Sequence, residues 1–356
     1  MRAPTAEQAA VIRLEGGPAR VLAGAGSGKT HTMTELVSYR VDEYLRRLGG
    51  TAPERILALT FTVKAADEMR SRLLGRIGEQ ALKLTVANFH SYALEIVREN
   101  AAVLGLEPDA PVLRRGRAWL MILDELAARD LSLRSLDLSD PAGAANKVLT
   151  LLSQAKNDLV DLTALRIRTE ADLLKADSDE LLGVLEERLD LIELAERFEV
   201  RRAARGLLRY EDMIELGARV LADPVMGEGY RGRYEFVVVD EFQDTNPAQL
   251  RFVELLAGGD LSKVVVIGDD LQSIYNFTGA SIRSIQRFEA EAGFEVGSRT
   301  YPLAVNFRSG KRILALANDI ARAVHPEGSP DEPKLLRPRD GAPPGEIAAF
   351  VGASDA

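Results

Sequence analysis

The chain has 356 residues, 46% of them hydrophobic, with no cysteine, three histidines and a formal charge of −9. That length allows two or three domains with real cores, while the missing thiols exclude disulfides, thiolate metal sites and a cysteine nucleophile. The negative balance excludes nucleic-acid binding by bulk charge, though not by a local groove, and no apolar run approaches the roughly 20 residues that span a bilayer.

Apolar, β-rich runs that end in turn residues recur at Ala19–Ala23, Ile56–Thr60, Leu84–Ala87, Phe236–Val239, Val264–Ile267 and Arg299–Leu303. Helical patterns separate most of them, which predicts an α/β chain built on a parallel sheet. The first run passes into Gly24-Ala25-Gly26-Ser27-Gly28-Lys29-Thr30, a small-residue variant of the phosphate loop with Ala23 where the strict pattern has glycine. Backbone N–H groups of Ala25, Gly26, Ser27 and Gly28 can close on phosphates at a helix N-terminus, with Lys29 reaching the β and γ phosphates and Thr30 holding Mg²⁺. The plain alternative is a glycine-rich turn between a strand and a helix.

Between about Pro111 and Gly206 the strand signal disappears, and Leu, Ile and Ala recur at helical spacing through Trp119–Ala128, Ala144–Leu159 and Leu181–Val200. A single strand-helix-strand unit needs only about 30 residues, so the long gap between the phosphate loop and the next charged strand end predicts an inserted helical subdomain. Trp119 is expected in its core. Arg114-Arg115-Gly116-Arg117 and Arg201-Arg202-Ala203-Ala204-Arg205 read first as solvated helix faces and second as nucleic-acid patches.

Phe236–Val239 has the continuous apolar character of a buried parallel strand, and its carboxyl end delivers Asp240 and Glu241 to the edge where such sheets bind ligands. Asp240 suits a metal and Glu241 a water; the alternative is a helix cap. Histidines at 31, 90 and 325 argue against structural zinc and leave Mg²⁺ as the implied metal. From His325 to Gly345 the chain is rich in Pro, Gly and charge and reads as a linker, and Glu346–Val351 resembles the first strand of a further domain. The N-terminus lacks a charged region followed by an apolar one, so a cytoplasmic address is expected.

Taken in order, the motifs resemble the superfamily 1 DNA helicases of the UvrD, Rep and PcrA type. Pro4–Val11 is similar to that family's adenine-reading motif around Gln8, and the phosphate loop follows. Ile56–Met69 and Ala87–Ser91 are similar to its single-stranded DNA motifs, which implies contacts from Thr60, Phe61, Thr62, Asn88, His90 and Ser91. Gln154-Ala155-Lys156-Asn157 and Tyr210-Glu211-Asp212-Met213 resemble marks of the helical insertion and its exit, and Asp240–Thr245 is nearly the family's acidic motif. Val266–Tyr275 and Leu303–Ser309 extend the match.

The resemblance implies a RecA-like ATP-binding core formed by residues 1–110 and 207–325, a helical insertion at 111–206, and at 326–356 a linker and truncated start of a second motor domain. It implies an ATP- and Mg²⁺-dependent 3′-to-5′ translocase or helicase acting on single-stranded or 3′-tailed duplex DNA in repair or recombination. Gln272 would sense the γ-phosphate and Arg308 would touch it. Tyr210, Tyr275 and Phe277 match aromatic positions over which bases stack, though by residue type alone such aromatics are more often core. His31 and Phe307 stand where the family has an arginine and a tyrosine around adenine, Thr278 replaces an arginine and Val63 an asparagine. A second arginine motif is missing, so a second motor domain or a partner would have to supply that arginine. Two other readings compete: a non-motor module that binds ATP and DNA to recruit partners, and a helicase-like subunit of a nuclease.

Overall fold

Six strands, β1 (Ala19–Ala23), β2 (Ile56–Thr60), β3 (Thr85–Asn88), β4 (Phe236–Val239), β5 (Val264–Gly268) and β6 (Thr300–Leu303), form one sheet in the order β3-β2-β4-β5-β1-β6. All its pairings are parallel, with Val238 opposite Ala58 and Val265, and Val21 opposite Ile267 and Tyr301. The computed structural model of the chain describes residues 3–48, 52–128, 133–269, 272, 288–290, 292–295, 297–324 and 335–348.

The apolar runs are continuous because the central strands are covered on both faces. Successive side chains alternate between the two sides. Leu57, Leu59, Val237, Val239, Val264 and Val266 enter one core, while Ile56, Ala58, Phe236, Val238, Val265 and Ile267 enter the other. This is the α/β arrangement expected of a RecA-like core.

The helices are α1 (Ala6–Ile12), α2 (Lys29–Leu48), α3 (Val63–Ile77), α4 (Phe89–Glu99), α5 (Arg115–Leu126), α6 (Pro141–Asn157), α7 (Leu162–Leu173), α8 (Asp179–Ala203), α9 (Tyr210–Ala222), α10 (Glu228–Arg231), α11 (Pro247–Leu256) and α12 (Lys311–Val324). Side-chain caps start several of them. Thr62, Asn88, Asp140, Asp161 and Ser178 each accept the backbone N–H three residues on. Of the helices between 111 and 206, α7 has no clear apolar period in the sequence, and Thr169 is its one fully buried residue.

Helices α5, α6 and α8 pack around a core of their own, with Ile122, Val148, Leu149, Leu194 and Phe198 at its centre. Trp119 lies partly buried against it, and its Nε1 donates to the Ala142 carbonyl at 3.3 Å. The chain enters and leaves this set at one point: Leu208 N donates to Pro111 O at 3.0 Å and Leu113 N to Leu208 O at 2.6 Å.

The stretch at 335–345 does not run free. A second, two-stranded parallel ladder joins β7 (Val305–Asn306) to β8 (Arg337–Pro338). Residues 346–348 have no regular structure, and the rest of the strand expected at 346–351 lies outside the described residues.

Asp190 of α8 is 2% exposed and accepts the backbone N–H groups of Arg134, Ser135 and Leu136 at 2.7–3.0 Å. Asp190→Ala removes one acceptor shared by three donors, and the expected cost is about 1–3 kcal/mol in chemical denaturation. Hydrogen exchange should place the loss in α5–α8 and leave the sheet protected.

Candidate nucleotide and nucleic-acid sites

Where β1 ends, the chain turns through Gly24–Gly28 and begins α2 at Lys29. Gly26 and Gly28 have φ of +70° and +79°, a region that side chains with a Cβ adopt only under strain. Gly28 has a second constraint, since a Cβ there would lie 3.0 Å from Gln8 Nε2 and 3.8 Å from the Phe307 ring. Gln8 and Phe307 therefore both stand against the loop. The Gln8 amide is already engaged, donating to Ser27 O at 3.2 Å while its Oε1 accepts the N–H of Thr5 in a capping box. Ser27 Oγ is buried and has no hydrogen-bond partner.

At the end of β4, Asp240 is 5% exposed and its N–H continues the ladder to Leu59 O at 2.9 Å. Burial pushes its carboxyl up to about 6; Lys29 opposes the shift and Glu241 adds to it. Asp244 rises to about 6 for the same reasons, burial first, then Glu241, with Lys29 opposing. Glu241 is left-handed at φ 52°, ψ 41°, one of two non-glycine residues among the described ones with positive φ. In that conformation its carboxylate pairs with Lys29 Nζ across the sheet end and accepts Gln243 Nε2 at 2.7 Å.

Gln243 also links onward. Its Oε1 accepts the N–H of Asp269 at 2.9 Å, just beyond β5, and the Asp269 carboxylate accepts Gln272 Nε2 at 2.5 Å. A hydrogen-bonded chain thus runs from Lys29 through Glu241, Gln243 and Asp269 to Gln272. A Cβ on Gly268 would come within 2.6 Å of Gln243 Oε1, which explains the glycine there.

On the opposite side, Asn306 positions the segment that bears Arg308. Its Oδ1 accepts the N–H groups of Arg308 and Ser309 at 2.9 and 2.7 Å, and its Nδ2 donates to Ala25 O at 2.5 Å. Phe307 N donates to Gly26 O at 2.8 Å. The resulting cavity, of about 290 Å³, is walled by the phosphate loop with Lys29, Thr30, His31, Glu241, Gln272 and Arg308. Asp240, which is buried, is not among the residues that line it. Arg72 of α3 also lines the cavity, a second arginine that motif reading does not assign.

A larger cavity of about 570 Å³ opens beside α4 and α9 and gathers Phe61, His90 and Tyr210. The His90 and Tyr210 rings stack, with centroids 3.7 Å apart and planes 18° from parallel. Arg115, Thr150, Ser153, Gln154 and Asn157 of α5 and α6 also line it, as do Asp244, Asn246 and Gln249. The remaining sequence candidates are placed differently. Thr60 is fully buried and donates to Thr62 O at 3.0 Å, Thr62 and Asn88 are helix caps, and Ser91 gives its N–H to Asn88. Tyr275 and Phe277, with Thr278, lie outside the described residues.

Residues 4–293 match the UvrD/REP helicase N-terminal domain family. The chain belongs to that family. This UvrD/REP-family chain is 36% identical over 323 residues to the ATP-dependent DNA helicase UvrD1 of Mycobacterium tuberculosis (strain H37Rv), covering 88% of the chain and 38% of that protein. To the ATP-dependent DNA helicase PcrA of Staphylococcus epidermidis (strain RP62A) it is 32% identical over 321 residues, covering 89% and 39%. It spans about two fifths of the length of these curated relatives.

Within this helicase-family domain, Asp212 explains how Tyr210 is held. Its carboxylate is 2% exposed, accepts the N–H of Arg209 at 2.7 Å and lies 2.9 Å from both Arg202 of α8 and Lys156 of α6. No helix among the described residues is long and apolar enough to cross a membrane, and no group of three or more His, Cys, Asp or Glu among them could hold a metal.

Burial holds His90 down at about 4, against the opposing effect of Glu211. A histidine depressed in the fold but ordinary in the unfolded chain, near 6.5, contributes stability that is complete above about pH 6.5 and lost as the pH falls toward 4. His90→Phe keeps a flat ring against Tyr210 and removes that titration. Denaturant melts should show the wild type losing on the order of 1–2 kcal/mol more than the variant between pH 7.5 and pH 5.

Proposed function

We propose that this domain is the ATP-binding, single-stranded-DNA-binding part of an ATP-dependent DNA helicase that moves 3′ to 5′. The observation that carries the reading is the linked chain from Lys29 through Glu241 and Gln243 to Gln272, facing Arg308 across one cavity. In this reading Lys29, Arg72 and Arg308 balance the charge of the β and γ phosphates, and Gly26–Gly28 turn backbone N–H groups toward them. Glu241 orients the attacking water and takes its proton.

The donor set suits Mg²⁺. Thr30 offers a hydroxyl at the head of α2, and Asp240 is a buried carboxylate short of positive charge, so both donors are hard oxygens. Bound there, the ion would neutralise charge developing on the phosphate oxygens. Phe307 and His31 are the adenine-side residues, with Gln8 holding the loop beneath them. Residues 1–110 and 207–325 would make the nucleotide core and 111–206 the insertion, a division supported by the meeting of Pro111 and Leu208. A cytoplasmic protein of DNA repair or recombination fits this activity.

Glu241→Gln should retain Mg²⁺-ATP binding while abolishing turnover, whereas Lys29→Ala should weaken binding itself. Titration with a fluorescent ATP analogue beside phosphate-release assays separates the two, and equal loss of affinity in both would remove the assigned roles.

Aromatic stacking without base reading predicts the behaviour of the groove. Phe61→Ala and Tyr210→Ala are each expected to weaken binding of a fluorescent oligonucleotide by about 1–3 kcal/mol, alike for dT and mixed sequences. Unchanged DNA affinity in both would sink the assignment. Direction is read from which end of a strand loses streptavidin in the presence of ATP, and loss from the 3′ end would reverse it.

A further inference from the structure

The segment at 335–345 is fastened on the far side of the phosphate loop. The Asn318 carboxamide of α12 pairs with both backbone polar groups of Leu336, donating to its carbonyl and accepting its N–H, each at 2.9 Å. Immediately beyond, Arg337 N donates to Ala304 O at 2.7 Å and Arg339 N to Asn306 O at 3.0 Å. The Arg337 guanidinium pairs with Glu7, whose other oxygen accepts the N–H of Ala304 at 2.9 Å. The carbonyls of Pro343 and Pro344 take the N–H groups of Lys311 and Arg312 at 2.9 and 2.7 Å, so the start of α12 is satisfied by this same strap.

These bonds place one side chain. A Cβ on Gly24 would lie 2.4 Å from Leu336 Cδ2 and 3.3 Å from its Cδ1 and Cγ. Gly24 is buried and its φ is not positive, so what this position demands is closeness rather than unusual backbone conformation. Beside the contact is a small, mainly apolar cavity of about 150 Å³, lined among others by Gly24, Asp269, Gln272, Asn318 and Leu336. Leu336 is therefore packed on the loop at one point and borders free volume at another. It can shift without first breaking a close-packed wall.

We propose that Leu336 is a positioning residue for the phosphate loop, and that the strap at 335–345 couples its own placement to nucleotide affinity through the Leu336–Gly24 contact. The inference rests on the nucleotide-site reading above. The coupling is mechanical. Asn318 fixes the Leu336 backbone, the Leu336 side chain supports Gly24, and Gly24 opens the turn whose N–H groups would hold phosphate. The same strap holds Asn306, which holds Arg308, so both sides of the nucleotide cavity depend on one short segment.

A double-mutant cycle tests this on the whole chain, with a fluorescent ATP analogue and Mg²⁺ as the probe and melting temperature measured in parallel. Gly24→Ala sets a methyl against the Leu336 Cδ atoms, which can yield into the adjoining cavity, and should weaken binding by about threefold, and Leu336→Ala removes the support and should weaken it by about threefold. The pair together should be no weaker than either single variant, where independent effects would multiply to about tenfold, because the added methyl takes the place of the removed side chain. Should Gly24→Ala fail to fold, Asn318→Ala supplies the second arm: it should weaken binding by a similar factor to Leu336→Ala and add nothing to it. Additive effects in both cycles, or lowered melting temperature with unchanged nucleotide affinity, overturn the proposal. Lys29→Ala is run alongside. If it too leaves affinity unchanged, the nucleotide-site reading has failed; if it abolishes binding while the strap variants show no coupling, only the strap inference has.

Discussion

Everything at the carboxyl end of this sheet is arranged around too much negative charge in too little water. Asp240, Glu241 and Asp244 lie together where β4 ends, and one lysine, Lys29 at the start of α2, pairs with Glu241 and opposes the shifts of the other two. A parallel sheet buried on both faces supplies the low dielectric that makes such a cluster costly and therefore responsive. The Lys29–Glu241 pair offsets part of that cost, and the left-handed backbone at Glu241 is what lets the carboxylate reach the lysine. Strain of about 1–3 kcal/mol at such a residue is kept only when its surroundings enforce it. Here Gln243 and Lys29 both hold the side chain in place.

The cluster also joins the two cavities. Glu241 lines the smaller cavity, while Asp244, three residues later, lines the one that holds Phe61 and Tyr210. A single short turn from 240 to 246 thus touches both. Any rearrangement that moves Glu241 relative to Lys29 changes the field at Asp244, because each of those groups contributes to its shift.

Much of the sheet was legible because buried parallel strands leave uninterrupted apolar runs: each of the six expected runs holds a strand, displaced by at most a residue or so at its ends. The phosphate loop and acidic strand were legible because glycine at positive φ and paired carboxylates leave a local signature. What sequence could not reveal were roles set by contacts between distant segments. Arg72 has no motif of its own; it pairs with Glu68 one turn earlier on α3, and only the fold shows that it lines the same cavity as Lys29. Asn306 and Gln243 lie inside recognised stretches, but their bridging bonds appear only in three dimensions. Helix α7 lacks a wide apolar stripe, and a Pro- and Gly-rich tail reads as a linker because most of its fastenings use its own backbone, which carries no side-chain signature.

The meeting of Pro111 and Leu208 has a consequence for how the chain can vary. The ends of the intervening helices are pinned together by main-chain hydrogen bonds, so the core sees that whole stretch as a closed loop. Loop-closure entropy grows only with the logarithm of length, so each doubling costs about 0.6 kcal/mol. Residues can be gained, lost or rebuilt between those two points with little penalty to the sheet, provided the new segment closes its own core as this one does around Val148 and Phe198 and keeps the cations that Lys156 and Arg202 set against Asp212. The junction is a place where evolution can remodel one wall of the groove at low cost to the sheet beneath it.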